Sequence, residues 1–185
     1  MGHTEDRADA GHHLRPFFRR ELVRIVAGAG ALSQGTIDYL SDLLSRFART
    51  ANLFPLDRRG EAMVAVADIL AEAAACRGLE GIEGYDPFQE ARWQRHLGDY
   101  TLFTAGLFRE WVERRASLRF YCDVGRDAYH RAADFEAVLD RRRARLFAEL
   151  SETFEACVAA LEGLRQGRFG GAYDLEWPVG GPALG

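Results

Sequence analysis

The sequence predicts an all-α fold, a single-domain bundle of about six helices followed by a Gly/Pro-rich tail. Three observations predict it. Apolar residues recur at steps of three and four from Phe17 to Leu164, the period of one helix face. Two-residue alternation, the mark of a half-buried strand, is nowhere sustained, and no internal repeat is present. Capping and breaking residues fall between the periodic stretches.

The elements follow in order. Residues 1–13 are polar and expected to fray. Pro16 then stands at a helix start, ahead of Phe17, Leu22, Ile25 and Val26, and the Gly28 to Gly30 stretch ends that helix. Ser33 precedes an amphipathic run in which Ile37, Leu40, Leu43, Leu44, Phe47 and Ala51 form the apolar stripe. Asp38, Asp42, Arg46 and Arg49 lie off it, on what reads as the solvated face, and Pro55 with the Asp57 to Gly60 turn closes the element. Glu61 to Cys76 is Ala-rich and predicts a third helix.

After a loop at Gly78, Gly81 and Gly84, Asp86-Pro87-Phe88-Gln89 supplies an N-cap, a Pro at the first helical position and a capping-box partner. The fourth helix runs from there through Trp93, Leu97, Tyr100, Phe103 and Leu107; Glu110 to Ala116 either continues or turns it. A fifth covers Leu118 to Ala133. The last and longest is expected from Glu136 to Gln166, with Leu139, Leu146, Leu150, Phe154, Cys157, Leu161 and Leu164 forming a seam for a partner helix of this chain or of a second copy. From Gly167 the composition turns to Gly and Pro, with Phe169, Tyr173 and Trp177 as anchors. The division is therefore a flexible N-terminus at 1–13, a bundle at 14–166 and an extended or flexible tail at 167–185.

Composition bounds the function. All 24 basic residues are Arg, which removes the Walker lysine, Schiff-base chemistry and the kinase lysine together, and points to a GC-rich bacterial genome. A net charge of -4 lacks the footprint of a nucleic-acid binder. The basic run Arg141 to Arg145 is followed by Glu149, Glu152 and Glu155, a mixed-charge face. Cys76, Cys122 and Cys157 are odd in number and sit in apolar pattern, as buried reduced thiols do, so a reducing, cytoplasmic location is expected. No stretch reads as a signal peptide or a membrane span.

The segment from His96 to Tyr129 carries the strongest signal. His96, Asp99, Tyr100, Phe103 and Leu107 share one face of the fourth helix, so an imidazole and a carboxylate interrupt an apolar stripe. Buried polar groups need partners. Tyr121 and Tyr129 on the next helix are the expected ones, brought near by a tight crossing through Gly106 and Gly125. Five His residues give no metal-ligand spacing, so neither a metal nor a cofactor is expected.

Leu97-Gly98-Asp99, Leu102-Phe103, Gly106-Leu107-Phe108, Tyr121, Gly125 and Ala128-Tyr129, with Tyr39-Leu40 through Phe47, resemble a set of bacterial all-helical proteins of unknown function over roughly residues 36–133. Those relatives carry Pro where Arg109 stands and a second Tyr where Phe120 stands. The resemblance implies a shared helical fold and no activity. Gly98-Asp99 and Gly106 also resemble, distantly, the Gly-Asp and following Gly over the haem of haem oxygenases, which would make His12 or His13 the axial ligand.

No nucleophile with an adjacent base is visible, so a non-enzymatic interaction or assembly module is the first expectation. Its partner would be another protein or a second copy, bound through the last helix and through Phe169, Tyr173 and Trp177. The alternative is a small-ligand-binding or haem-oxygenase-like protein using the His96, Asp99 and tyrosine cluster.

Overall fold

A computed structural model describes residues 6–27, 32–48, 66–77 and 86–169, with side chains placed within 14–27, 32–48, 66–75 and 86–167. The described residues form eight helices and no strand: α1 (Asp6–Val26), α2 (Gln34–Phe47), α3 (Val66–Arg77), α4 (Pro87–Leu107), α5 (Arg109–Arg115), α6 (Leu118–Leu139), α7 (Arg141–Glu152) and α8 (Phe154–Phe169). The all-α class holds; the helix count rises from six to eight. None of these helices is long and apolar enough to cross a membrane.

Several boundaries stand where the cap chemistry puts them. Ser33 accepts the Thr36 N–H on its hydroxyl, and Asp86 accepts the Phe88 N–H at 2.9 Å with Pro87 at the first position. Pro16, in contrast, lies inside α1 on its exposed side rather than at its start, so the helix continues through a position with no N–H to donate. The Glu61 to Ala65 start expected for the third helix and Ala51 of the second fall outside the described residues.

The extra helices come from three breaks that apolar spacing does not register. At Phe108 the backbone leaves helical geometry (φ -123°, ψ 39°), separating α5 from α4. At Asp140 (φ -148°, ψ 99°) the carboxylate accepts the N–H groups of Arg142 and Arg143, capping a new helix instead of continuing the old one. At Thr153 (φ -106°, ψ 21°) the hydroxyl donates to the Glu149 carbonyl, and α8 departs in a new direction. The single helix expected from Glu136 to Gln166 is therefore the end of α6 plus α7 and α8.

Its expected seam is redistributed accordingly. Leu139 is 62% exposed, while Leu150, Phe154, Cys157, Leu161 and Leu164 are buried within the chain. α8 packs on α4 and α1, and α7 packs on α6.

α4 is the central element. It packs on α3, α5, α6 and α8, and every residue from Leu97 to Leu107 is buried, so the whole circumference faces protein rather than one stripe. Such enclosure demands thin spots. A methyl group at Gly98 would lie 2.8 Å from the Tyr129 ring, and one at Gly125 would collide with the Phe154 ring and the Thr101 hydroxyl. α4 and α6 thus cross closely at Gly98 and Gly125. Gly106 serves a different contact, against α8, where an added methyl group would lie 2.5 Å from Leu161, and not the α4–α6 crossing expected of it.

Candidate functional site

Two turns of α2 bring Tyr39 and Arg46 to one face, and α4 opposes them with Asp99. The Asp99 side chain is 1% exposed and its two oxygens accept from two neighbouring helices, α2 and α6. Oδ1 accepts the phenol hydroxyls of Tyr39 (2.5 Å) and Tyr129 (2.8 Å). Oδ2 accepts Nη1 and Nη2 of Arg46, both at 3.1 Å, while Arg46 Nε donates to Asp42 at 2.9 Å and is held in register. Arg95 Nε stands 4.0 Å from the same oxygen.

Aromatic rings pack this knot. Tyr39 and Tyr129 meet edge to face at 6.2 Å, and both lie against Phe147. Burial and the adjacent Asp99 push both phenols well above their ordinary range, so they remain proton donors. With donors on both oxygens, the carboxylate ties α2, α4 and α6 together.

His96 does not join it. The imidazole sits among Phe47, Trp93 and Tyr100, and its buried Nε2 has no hydrogen-bond partner among the described residues. Burial lowers its pKa to about 4; Asp99 opposes that shift, and Arg46 and Arg95 reinforce it. The ring is therefore neutral at pH 7, one nitrogen a donor and the other an acceptor.

Beside His96 and Asp99 a cavity of about 450 Å³ opens to the surface, lined by Arg46, Gln89, Arg92, Trp93 and Arg95. Three guanidinium groups face one carboxylate there. Arg46 is committed to Asp99 and Asp42, and Arg95 touches Asp99 only at its outer limit. Arg92 has no ion pair or hydrogen bond among the described residues. The walls also offer an indole face and an amide, the elements of an anion site with a flat apolar flank.

The expected cluster is thus partly assembled. Tyr129 reaches Asp99 as anticipated, but His96 and Asp99 do not bond to each other, and Tyr121 reaches neither. Tyr121 lies by Phe120, with Tyr100 and Arg115 as its charged or titratable neighbours. Tyr100 is fully buried against His96, its phenol pushed up by burial and by Tyr121. Tyr39, Arg46, Arg92 and Arg95 escaped the sequence reading because they lie off the apolar stripes. Their signal was indirect: a buried Asp99 requires a cation, and Arg46 with Asp42 four residues earlier is a prepared one.

Cys122 and Cys157 are buried and free; burial pushes the Cys157 thiol up to about 12, out of reach of thiolate chemistry. The Cys76 side chain, those of His12, His13 and Phe169, and Tyr173 and Trp177 lie outside the described residues. Among those described, no three His, Cys, Asp or Glu side chains converge as a metal site. Haem does not fit the Gly98 and Gly106 surfaces, because Tyr129 and Leu161 already fill the space above them. No family model, curated protein or solved structure matches this chain.

Proposed function

We propose that this chain is a helical ligand-binding protein whose cavity between α2 and α4 takes a small molecule by a carboxylate or phosphate group. The observation that carries the reading is a cavity whose lining sets Arg46, Arg92 and Arg95, beside Trp93 and His96, against a single carboxylate, that of Asp99. Arg92 and Arg95 supply the charge, Trp93 a stacking face, and His96 a neutral hydrogen-bond group that reads the ligand's polar edge.

No bond-making chemistry is assigned. Asp99 already accepts from Tyr39, Tyr129 and Arg46, so it is a structural anchor of the cavity rather than a free base. The test is calorimetric titration with benzoate and with inorganic phosphate. At least one should bind saturably, with affinity reduced about tenfold in Arg95→Gln, as loss of one charge-assisted hydrogen bond implies. Equal binding by Arg95→Gln and His96→Ala, or no saturable binding of either anion, overturns the reading.

An interaction or assembly module is the second reading, supported by the exposure of Val138 (89%) and Leu139 (62%) at the α6–α7 corner. The seam of α7 and α8 gives it no support, since it is consumed inside the chain. Light scattering across a concentration series checks it: a mass that rises to a dimer and returns to a monomer in Val138→Ser/Leu139→Ser is the expected sign. A monomer at all concentrations removes self-assembly from it.

A further inference from the structure

Arg92 and Arg95 line a second cavity as well. It measures about 600 Å³ and runs between the start of α4, the end of α6 and the start of α7. Its apolar wall is formed by Phe88, Phe135, Leu139 and Phe147. Phe147 is a buried floor at 2% exposure, whereas Phe88 and Leu139 are rims at 61% and 62%. Large apolar side chains left that open are uncommon on this surface. Among the described residues only Val23, Phe120 and Val138 accompany them. Of the other charged groups in its lining, Arg143 pairs with Glu136 at 2.9 Å, and the Asp140 carboxylate accepts the backbone N–H groups of Arg142 and Arg143.

The two cavities therefore meet at Arg92 and Arg95, polar and cationic on the α2 side and apolar on the α6 side. We infer that the ligand is a long-chain carboxylate, its head between Arg92, Arg95 and His96 and its hydrocarbon chain lying over Phe147 between Phe88 and Leu139. This rests on the anion-binding reading above and extends it with a second, apolar subsite. Charge complementarity sets the direction, because Arg143 is paired with Glu136, whereas Arg92 has no ion pair among the described residues and Arg95 lies 4.0 Å from Asp99. A chain laid in it would cover the two open rims, and a volume of this size lies within the ordinary range for ligand cavities.

The test is calorimetric titration of the full chain with butyrate, octanoate and dodecanoate, each below its micelle-forming concentration, and with dodecanol. Affinity should rise with chain length by up to about fourfold for each methylene that becomes buried. Dodecanol should bind at least tenfold more weakly than dodecanoate. Phe88→Ser and Leu139→Ser, both at exposed positions, should weaken dodecanoate about tenfold and leave benzoate unchanged.

Dodecanoate no tighter than butyrate, with benzoate binding still dependent on Arg95, overturns the apolar subsite while the anion site stands. Loss of all anion binding removes both. Dodecanol binding as well as dodecanoate shows that the arginines do not hold the head, and overturns the inference. So does a dimer that Phe88→Ser dissociates without changing dodecanoate affinity, since the groove would then belong to a second copy.

Discussion

Asp99 offers one carboxylate to two phenols and a guanidinium, all of them buried or half-buried. Replacing it with Asn turns one acceptor into a donor facing Arg46 and leaves that charge without its counter-ion. Breaking a buried pair from one side costs about 3–5 kcal/mol. At roughly 2–4 °C per kcal/mol for a chain of this size, Asp99→Asn should lower the melting temperature by roughly 10 °C. Circular dichroism checks it, and a fall below about 2 °C would remove the structural role. His96 behaves oppositely, because no side chain among the described residues is hydrogen-bonded to it. Its folded pKa, about 4 against a usual 6.5, means the unfolded chain takes up the proton first. The stability it contributes is fully present above about pH 6.5 and is lost as pH falls toward 4, amounting to about 3 kcal/mol. Urea denaturation between pH 7 and 4 should show that loss in the parent chain and a shallower one in His96→Gln. At this scale the sequence disclosed Asp99, His96 and Tyr129, since polar residues in an apolar stripe demand an explanation. It hid Arg46, because a guanidinium off the stripe of α2 is indistinguishable from one in water until α4 is placed beside it.

Helix contacts at α4 set the tolerances of the glycines. Ala normally gains about 0.5–1 kcal/mol over Gly within a helix. At Gly125 that gain is overwhelmed, because the methyl meets both the Phe154 ring and the Thr101 hydroxyl, neither of which has room to retreat. Gly125→Ala should destabilise by roughly 1–3 kcal/mol, the usual cost of overpacking. Gly167→Ala in α8, where nothing lies within 4 Å, should be neutral or stabilising by up to about 1 kcal/mol. Chemical denaturation of the two variants side by side makes the comparison, and equal effects would contradict the close crossing. Helix starts at Ser33, Asp86 and Ser117 carry cap chemistry that local sequence displays; Ser33 and Asp86 are legible as starts, although Gln89 adds no capping-box bond to Asp86 among the described residues. The breaks at Asp140 and Thr153 were not, because one Asp or Thr in a leucine pattern is compatible with a helix until its side chain takes a backbone group.

On the scale of the whole molecule, the apolar residues that suggested an external partner close the bundle on itself, and two of the cavities among the described residues share Arg92 and Arg95. Composition had excluded lysine chemistry and the electrostatics of a nucleic-acid binder, but the meeting of α2, α4, α6 and α7 at one cationic junction is a product of topology. In the proposed site His96 and the neighbouring arginines receive the ligand while Asp99 holds the frame. The most direct measurement is the imidazole nitrogen resonances of the five His residues during a benzoate titration. A saturable shift confined to His96 is expected, with its midpoint moved to about tenfold higher benzoate in Arg95→Gln. Unmoved His96 resonances at saturating benzoate, or a midpoint unchanged in Arg95→Gln, would contradict that assignment.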